Sequence, residues 1–187
     1  MTDVGLGRGL FLDRDGVINR EIGYLSTAAE VEFVEGIFCL CRTAQGLGYR
    51  LMVVTNQAGI ARGYYTEAAY QELMVWMRGE FRREGVELDA VYHSPFHPVH
   101  GVGQYKREHE DRKPGTGMLR RGAKEFGLDL GQCVMVGDRC TDIAAANTAG
   151  LRQAFLMAGT EDPGGCGGEF VGVARLGEVE AWLVTQG

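Results

Sequence analysis

Two aspartates, Asp13 and Asp15, end the apolar run Gly9-Leu10-Phe11-Leu12 and open the turn Arg14-Asp15-Gly16-Val17-Ile18-Asn19. A buried strand that stops in two carboxylates two residues apart is costly, because like charges repel and each resists desolvation. A divalent cation resolves the conflict, and oxygen ligands at a strand end suit Mg²⁺. Read alone, the stretch is also compatible with an ordinary Asp-rich turn.

Three further segments favour a site. Arg50-Leu51-Met52-Val53-Val54 reads as a buried strand running into Thr55-Asn56-Gln57. Arg112-Lys113-Pro114 follows a loop and precedes a helix. Cys133-Val134-Met135-Val136 is another buried strand, running into Gly137-Asp138-Arg139-Cys140-Thr141-Asp142. Each polar cluster falls where a parallel strand would stop, and open α/β sheets bind ligands at that edge.

The elements that must position these groups alternate. Strands are predicted at 9–13, 50–54, 89–93, 132–136 and 153–157, with a short one near 169–173. Helices are predicted at 36–47, 66–84, 115–126, 140–149 and 175–185. Thr66 is a good N-cap with Glu67 in the first turn. Tyr70, Met74, Met77 and Phe81 recur at helical spacing and mark a buried face. Leu119, Ala123 and Phe126 mark another, on a helix that Gly127 ends. Alternation predicts an α/β fold: a doubly wound, Rossmann-like parallel sheet with helices on both faces. Residues 20–35 and 94–111 are the loops able to shape a pocket. We read the 187 residues as one domain, 1–187.

Together the motifs resemble the haloacid dehalogenase-like phosphatase superfamily, from about Gly9 to the last helix. They are most similar to its D,D-heptose 1,7-bisphosphate phosphatase branch, with histidinol-phosphatases as close kin. The narrowing features are Asp13 to Asn19, Gly23-Tyr24, the string Thr55-Asn56-Gln57-Ala58-Gly59-Ile60-Ala61-Arg62-Gly63, and Arg112-Lys113-Pro114. The resemblance implies a minimal cap made of loops. It also implies Asp13 as nucleophile, forming an aspartyl-phosphate, and Asp15 as general acid and then base. The charge of Asp13 would raise the pKa of Asp15. Mg²⁺ would be held by Asp13, the backbone carbonyl of Asp15, and Asp138.

Thr55 and Lys113 would stabilise the phosphoryl group, with Asp13 and Asp15 completing the catalytic set. Arg112 suits the substrate, since its planar fork can grip a second phosphate or sugar hydroxyls. By resemblance Arg14, Glu21, Ile22, Gly23, Tyr24, Asn56, Gln57, Ala58 and Arg139 also line the substrate site. Asp142 is read either as a support for the loop or as an acid at a helix start. The implied reaction is removal of the C7 phosphate of D-glycero-D-manno-heptose 1,7-bisphosphate, feeding nucleotide-activated heptose for lipopolysaccharide, capsule or glycoprotein. Histidinol phosphate or another small phosphorylated metabolite is the alternative substrate. A catalytically retired sugar-phosphate binding protein is a third reading.

One departure stands out. Relatives carry a zinc clamp of the pattern Cys-x-His, twelve residues, Cys-x-Cys. Here that spacing gives Ser94-x-Phe96, twelve residues, then His109-x-Asp111. Serine and phenylalanine are not zinc ligands, so no structural zinc is expected. His93, His97, His100 and His109 all fall in this region and could build another metal site with Asp111. Lacking a ligand spacing, they read as polar loop histidines. Packing of Pro95, Phe96 and Pro98 must then hold the loop. Arg139 replaces a lysine common in relatives, keeping charge but not geometry.

Bulk properties narrow the partners. With 45% hydrophobic and 24% charged residues the composition is that of an ordinary globular protein. A net charge of -6 argues against non-specific nucleic-acid binding, while a local cationic site can still take an anionic sugar phosphate. Residues 1–8 lack an apolar signal core, and no stretch approaches a membrane span. The five cysteines, Cys39, Cys41, Cys133, Cys140 and Cys166, form no Cys-x-x-Cys pair. They read as reduced thiols of a soluble cytoplasmic protein. Gly164 to Gly168 reads as a flexible loop, and no apolar heptad suggests more than a monomer.

Overall fold

A computed structural model describes residues 7–159 and 165–186. Residues 1–6 of the N-terminal stretch and Gly164 of the glycine patch therefore lie outside the described residues. Six parallel strands form one sheet: β1 Arg8–Leu12, β2 Tyr49–Asn56, β3 Ala90–Ser94, β4 Val134–Gly137, β5 Gln153–Met157 and β6 Val171–Val173. Their spatial order is β3-β2-β1-β4-β5-β6, the doubly wound order expected from the alternation. The helices are α1 Ile37–Gly46, α2 Ala58–Ala61, α3 Glu67–Arg83, α4 Gly117–Phe126, α5 Cys140–Ala149 and α6 Leu176–Gln186. The four-residue α2 was not foreseen, because it is too short to show a period.

Period-two alternation along the strands sends side chains to two separate cores. Leu10, Leu12, Leu51, Val53, Val134 and Val136 pack with α1, α3 and α6. Phe11, Met52, Val54 and Met135 pack with α4 and α5 on the other face. Both faces are covered, which is why the central strands are apolar throughout rather than alternating with polar residues. Thr66 caps α3 by accepting from Ala69 N at 3.1 Å, and Gly127 ends α4 in the left-handed region at φ 61°.

Phe81 anchors the end of α3. It is fully buried and meets the ring of Phe38 at 5.0 Å and that of Phe33 at 6.0 Å, both edge-on. Truncating it removes a whole ring from a packed site. Phe81→Ala should lower unfolding free energy by about 3–5 kcal/mol, read from the urea midpoint at unchanged slope.

Among the described residues, no helix is long and apolar enough to cross a membrane. The cysteines depart from the reduced set expected of them. Cys140 and Cys166 form a disulfide with a Cα–Cα distance of 4.9 Å, tying the first residue of α5 to the glycine patch itself. Cys39, Cys41 and Cys133 are free thiols. Spacing along the chain carries no pairing information at a separation of 26 positions.

Candidate active site

The register of the sheet places the acidic clusters side by side. Leu12 of β1 pairs with Val53 of β2 and with Val136 of β4. Asp13, just past the end of β1, and Asp138, just past Gly137 at the end of β4, therefore emerge together at the point where the strand order reverses. Asp13 N donates to Val136 O at 3.0 Å, continuing the ladder one step. Two glycines permit the crowding. A Cβ on Gly16, whose φ is 82°, would strike the Asp138 carboxylate, and one on Gly137 would strike Asp142.

Asp13, Asp138 and Asp142 each offer a carboxylate oxygen within 4.8 Å of the others, and all three are buried. Lys113 is threaded into this group. Its Nζ lies 2.9 Å from Asp13 Oδ1 and 2.6 Å from Asp142 Oδ1, and donates to Val54 O at 2.7 Å. The ammonium thus sits between two carboxylates and a backbone carbonyl. Burial opposes the charge on Lys113, but Asp13 and Asp142 outweigh it and hold the pKa above the ordinary value. Burial pushes Asp13 up to about 8, against the pull of Lys113, with Asp142 and Asp138 adding repulsion. Three buried carboxylates against one ammonium leave an excess of negative charge. A divalent cation fits that donor set and that imbalance.

Asp142 unites the two roles left open for it. Its Oδ2 accepts from Asp138 N and Arg139 N, each at 3.1 Å, capping the first turn of α5. Its Oδ1 holds Lys113. The cluster contains this residue's side chain rather than that of Asp15, whose carboxylate turns elsewhere.

Asp15 is held by Arg14. Arg14 Nε and Nη2 reach Asp15 Oδ1 at 3.0 and 2.8 Å, and Nη2 also reaches Oδ2 at 2.8 Å. This corrects the substrate-binding role expected of Arg14, whose side chain is 1% exposed and faces inward. It also gives Asp15 a cationic partner, where the sequence had suggested only the repulsion of Asp13. Asn19 Nδ2 adds a bond to Asp15 Oδ1 at 3.0 Å, and Gln57 Nε2 one to Oδ2 at 3.2 Å.

The end of β2 is likewise engaged within the protein. Asn56 and the Lys113 backbone exchange two hydrogen bonds of 3.0 Å, fixing the Arg112-Lys113 segment against the strand. Gln57 donates to Thr55 Oγ1 at 2.8 Å and accepts from Tyr65 OH at 2.6 Å. Thr55 is buried beneath the cleft and does not line it. The amides of Asn56 and Gln57, expected on substrate, face the cleft but spend their bonds on positioning.

A cleft of about 390 Å³ opens above these groups. Of the expected residues, Asp13, Asp15, Glu21, Gly23, Tyr24, Asn56, Gln57, Ala58, Arg112, Lys113, Asp138 and Arg139 line it; Ile22 does not. Arg139 leans toward Glu21 at 3.5 Å and Asp138 at 3.6 Å. Tyr24, about half exposed, meets Tyr64 at 4.3 Å between ring centres, so the 20–35 loop touches the turn after α2 beside the cleft. Arg62, Tyr65 and Thr141 also line the cleft and were given no role from the sequence, and His97, read there as a polar loop histidine, lines it as well.

The loop that departs from the zinc pattern is fastened by rings. Phe96 stacks on His109 at 4.2 Å, and the Arg107 guanidinium lies over Phe96 at 4.2 Å. Asp111 pairs with Arg121 at 2.9 Å, and Ser94 is fully buried at the end of β3. His93 faces Glu67 at 3.0 Å, while His97 Nδ1 accepts from the backbone N–H groups of Val99 and His100. Among the described residues these histidines form no cluster of three ligands.

A doubly wound sheet whose β1 ends in Asp-x-Asp, beside a lysine and a β4 acidic loop, defines a class, and comparison with known proteins agrees. A family model described as HAD-hydrolase-like matches residues 111–169. The chain belongs to the haloacid dehalogenase-like hydrolases. Within that family it is 50% identical over 150 residues to a D-glycero-alpha-D-manno-heptose-1,7-bisphosphate 7-phosphatase of Burkholderia mallei, covering 80% of this chain and 79% of that protein. It is 43% identical to the beta-anomer 7-phosphatase of Vibrio cholerae, covering 79% and 80%. The crystal structure of D,D-heptose 1,7-bisphosphate phosphatase from B. bronchiseptica, complexed with magnesium and phosphate, superposes with a TM-score of 0.82 at 25% identity, covering 96% of this chain and 99% of that one.

Proposed function

We propose that this protein is a Mg²⁺-dependent phosphomonoesterase that removes the C7 phosphate of D-glycero-D-manno-heptose 1,7-bisphosphate. The observation that carries the substrate class is a second, cationic station in the same cleft. Arg62, Arg112 and His97 line it and stand close enough to perturb one another. Burial and then the neighbouring arginines lower the pKa of His97. Burial lowers that of Arg112, with Arg62 adding to it and Glu108 opposing. Among the described residues neither arginine forms an ion pair, and Arg62 Nε is buried without an acceptor. Such a site suits a second anionic group on the substrate.

At the other station Asp13 Oδ attacks phosphorus in line, the bond to the C7 oxygen breaks, and Asp15 protonates that oxygen. Water then attacks the aspartyl-phosphate, giving its proton to Asp15 and releasing Asp13. Lys113 supplies positive charge where negative charge grows. Asp13 and Asp138, with the Asp15 carbonyl, would hold the cation, and Asp142 stands within the same cluster. When bound, Mg²⁺ neutralises the carboxylates and polarises a phosphoryl oxygen. Thr55 and Gln57 hold the floor, while Glu21, Gly23, Tyr24, Ala58 and Arg139 form the wall around the sugar. No structural zinc is needed where Phe96 and His109 stack. We place the reaction in the cytoplasm, in one 187-residue domain acting as a monomer without nucleic acid.

The test is phosphate release from both heptose bisphosphate anomers and from histidinol phosphate, with and without Mg²⁺. The proposal expects a heptose bisphosphate to win in kcat/KM and turnover to vanish in chelator. A wide preference for histidinol phosphate would overturn the substrate. Removing the second station gives a sharper check. Arg62→Ala should lower kcat/KM for the bisphosphate by about 10- to 100-fold while changing that for histidinol phosphate, which carries one phosphate, little.

A further inference from the structure

Arg14 heads the fully buried side chains by size, although it is charged and adjoins the reacting groups. Burying a guanidinium is costly unless it is paired and bonded. Its plane meets both oxygens of Asp15, and its Cζ lies 5.7 Å from the centre of the Tyr70 ring on α3. Asn19 and Gln57 grip the same carboxylate from other sides, and Tyr65 fixes Gln57 in turn. What remains open is the side of Asp15 that lines the cleft. Arg14 itself does not line the cleft.

We propose that Arg14 is a positioning residue for proton transfer. It holds the Asp15 carboxyl in the one orientation that serves both halves of the reaction. In the first, the Asp13 oxygen–phosphorus bond forms, the phosphorus–C7 oxygen bond breaks, and the Asp15 proton passes to the departing oxygen. In the second, a water oxygen–phosphorus bond forms, the phosphorus–Asp13 bond breaks, and the water proton returns to Asp15. Arg14 exchanges no proton. A planar fork fixes the rotation of a carboxylate, whereas the ammonium of a lysine leaves it free. The inference rests on the reading of Asp15 as proton donor.

Leaving groups separate this role from a merely structural one. kcat/KM covers the steps up to departure of the leaving group. The C7 alkoxide needs a proton to depart; p-nitrophenolate does not. Arg14→Met should lower kcat/KM of the Mg²⁺-loaded enzyme on heptose bisphosphate by about 100-fold, but on p-nitrophenyl phosphate by only about threefold. Inhibition by inorganic phosphate should be unchanged, and Arg14→Lys should recover part of the loss.

Asp15→Asn serves as the reference and should show the same selectivity. If Asp15→Asn discriminates and Arg14→Met lowers both substrates equally, Arg14 only supports the fold. If Asp15→Asn does not discriminate, the proton-donor reading fails, and this inference with it. Should the Arg14 variants not fold, the wild-type enzyme still decides. The Arg14 Nε–H resonance should stay protected from exchange with Mg²⁺ and inorganic phosphate bound, and rapid exchange there would overturn the clamp.

Discussion

Asp13→Asn abolishes turnover: phosphate release from heptose bisphosphate should fall by at least about 10⁴-fold, the scale on which loss of a covalent nucleophile is felt. The substitution is nearly isosteric and removes a negative charge that burial already disfavours, since the Asp13 carboxyl is pushed up to about 8. Folding should therefore survive, with the thermal midpoint equal to or above that of the parent. The two readouts move in opposite directions because the site trades stability for chemistry. A variant that kept its turnover would remove Asp13 from the role assigned to it.

Lys113→Met should be damaging in both respects. Its Nζ meets Asp13, Asp142 and the Val54 carbonyl, so its loss leaves buried carboxylates facing one another without their ammonium. Breaking a buried pair from one side costs about 3–5 kcal/mol. Turnover at saturating substrate should fall by a further factor of about 10² to 10³ through loss of charge stabilisation. The sign with pH follows from the raised pKa of Lys113. Its contribution is complete below the unfolded value and fades as pH rises through the folded one, so the deficit at neutral pH is the whole of it. Urea unfolding and phosphate release on the same preparation measure the two effects. A stable variant of unchanged turnover would show the lysine to be incidental.

The strand ends were legible because buried strands of a two-faced parallel sheet are apolar throughout, so the first charged residue marks the exit. Asp13 and Asp138 were found in this way, Lys113 came from the Arg112-Lys113-Pro114 motif, and the doubly wound parallel sheet followed from the alternation of elements. Side-chain direction was not legible. Arg14 sits inside the motif that announces the site, yet turns inward to Asp15 rather than out to substrate, and only the packing of Tyr70 and Asn19 around it decides this. Asp142 looked like a helix cap and is one, but a cap on α5 also lands beside Lys113 once Gly137 lets strand and helix approach. Arg62 was hidden for another reason. It lies in the recognisable Thr-Asn-Gln string, but only the fold of α2 brings it to the cleft with Arg112. The bond between Cys140 and Cys166 joins segments that no periodicity connects.

The most direct test is to stop a single turnover with acid, using heptose bisphosphate labelled at the C7 phosphate, Mg²⁺ and excess enzyme. The label should appear transiently on protein and map to the peptide carrying Asp13. Phosphate formed at full rate with no protein-bound label, or with label on another residue, would contradict the account.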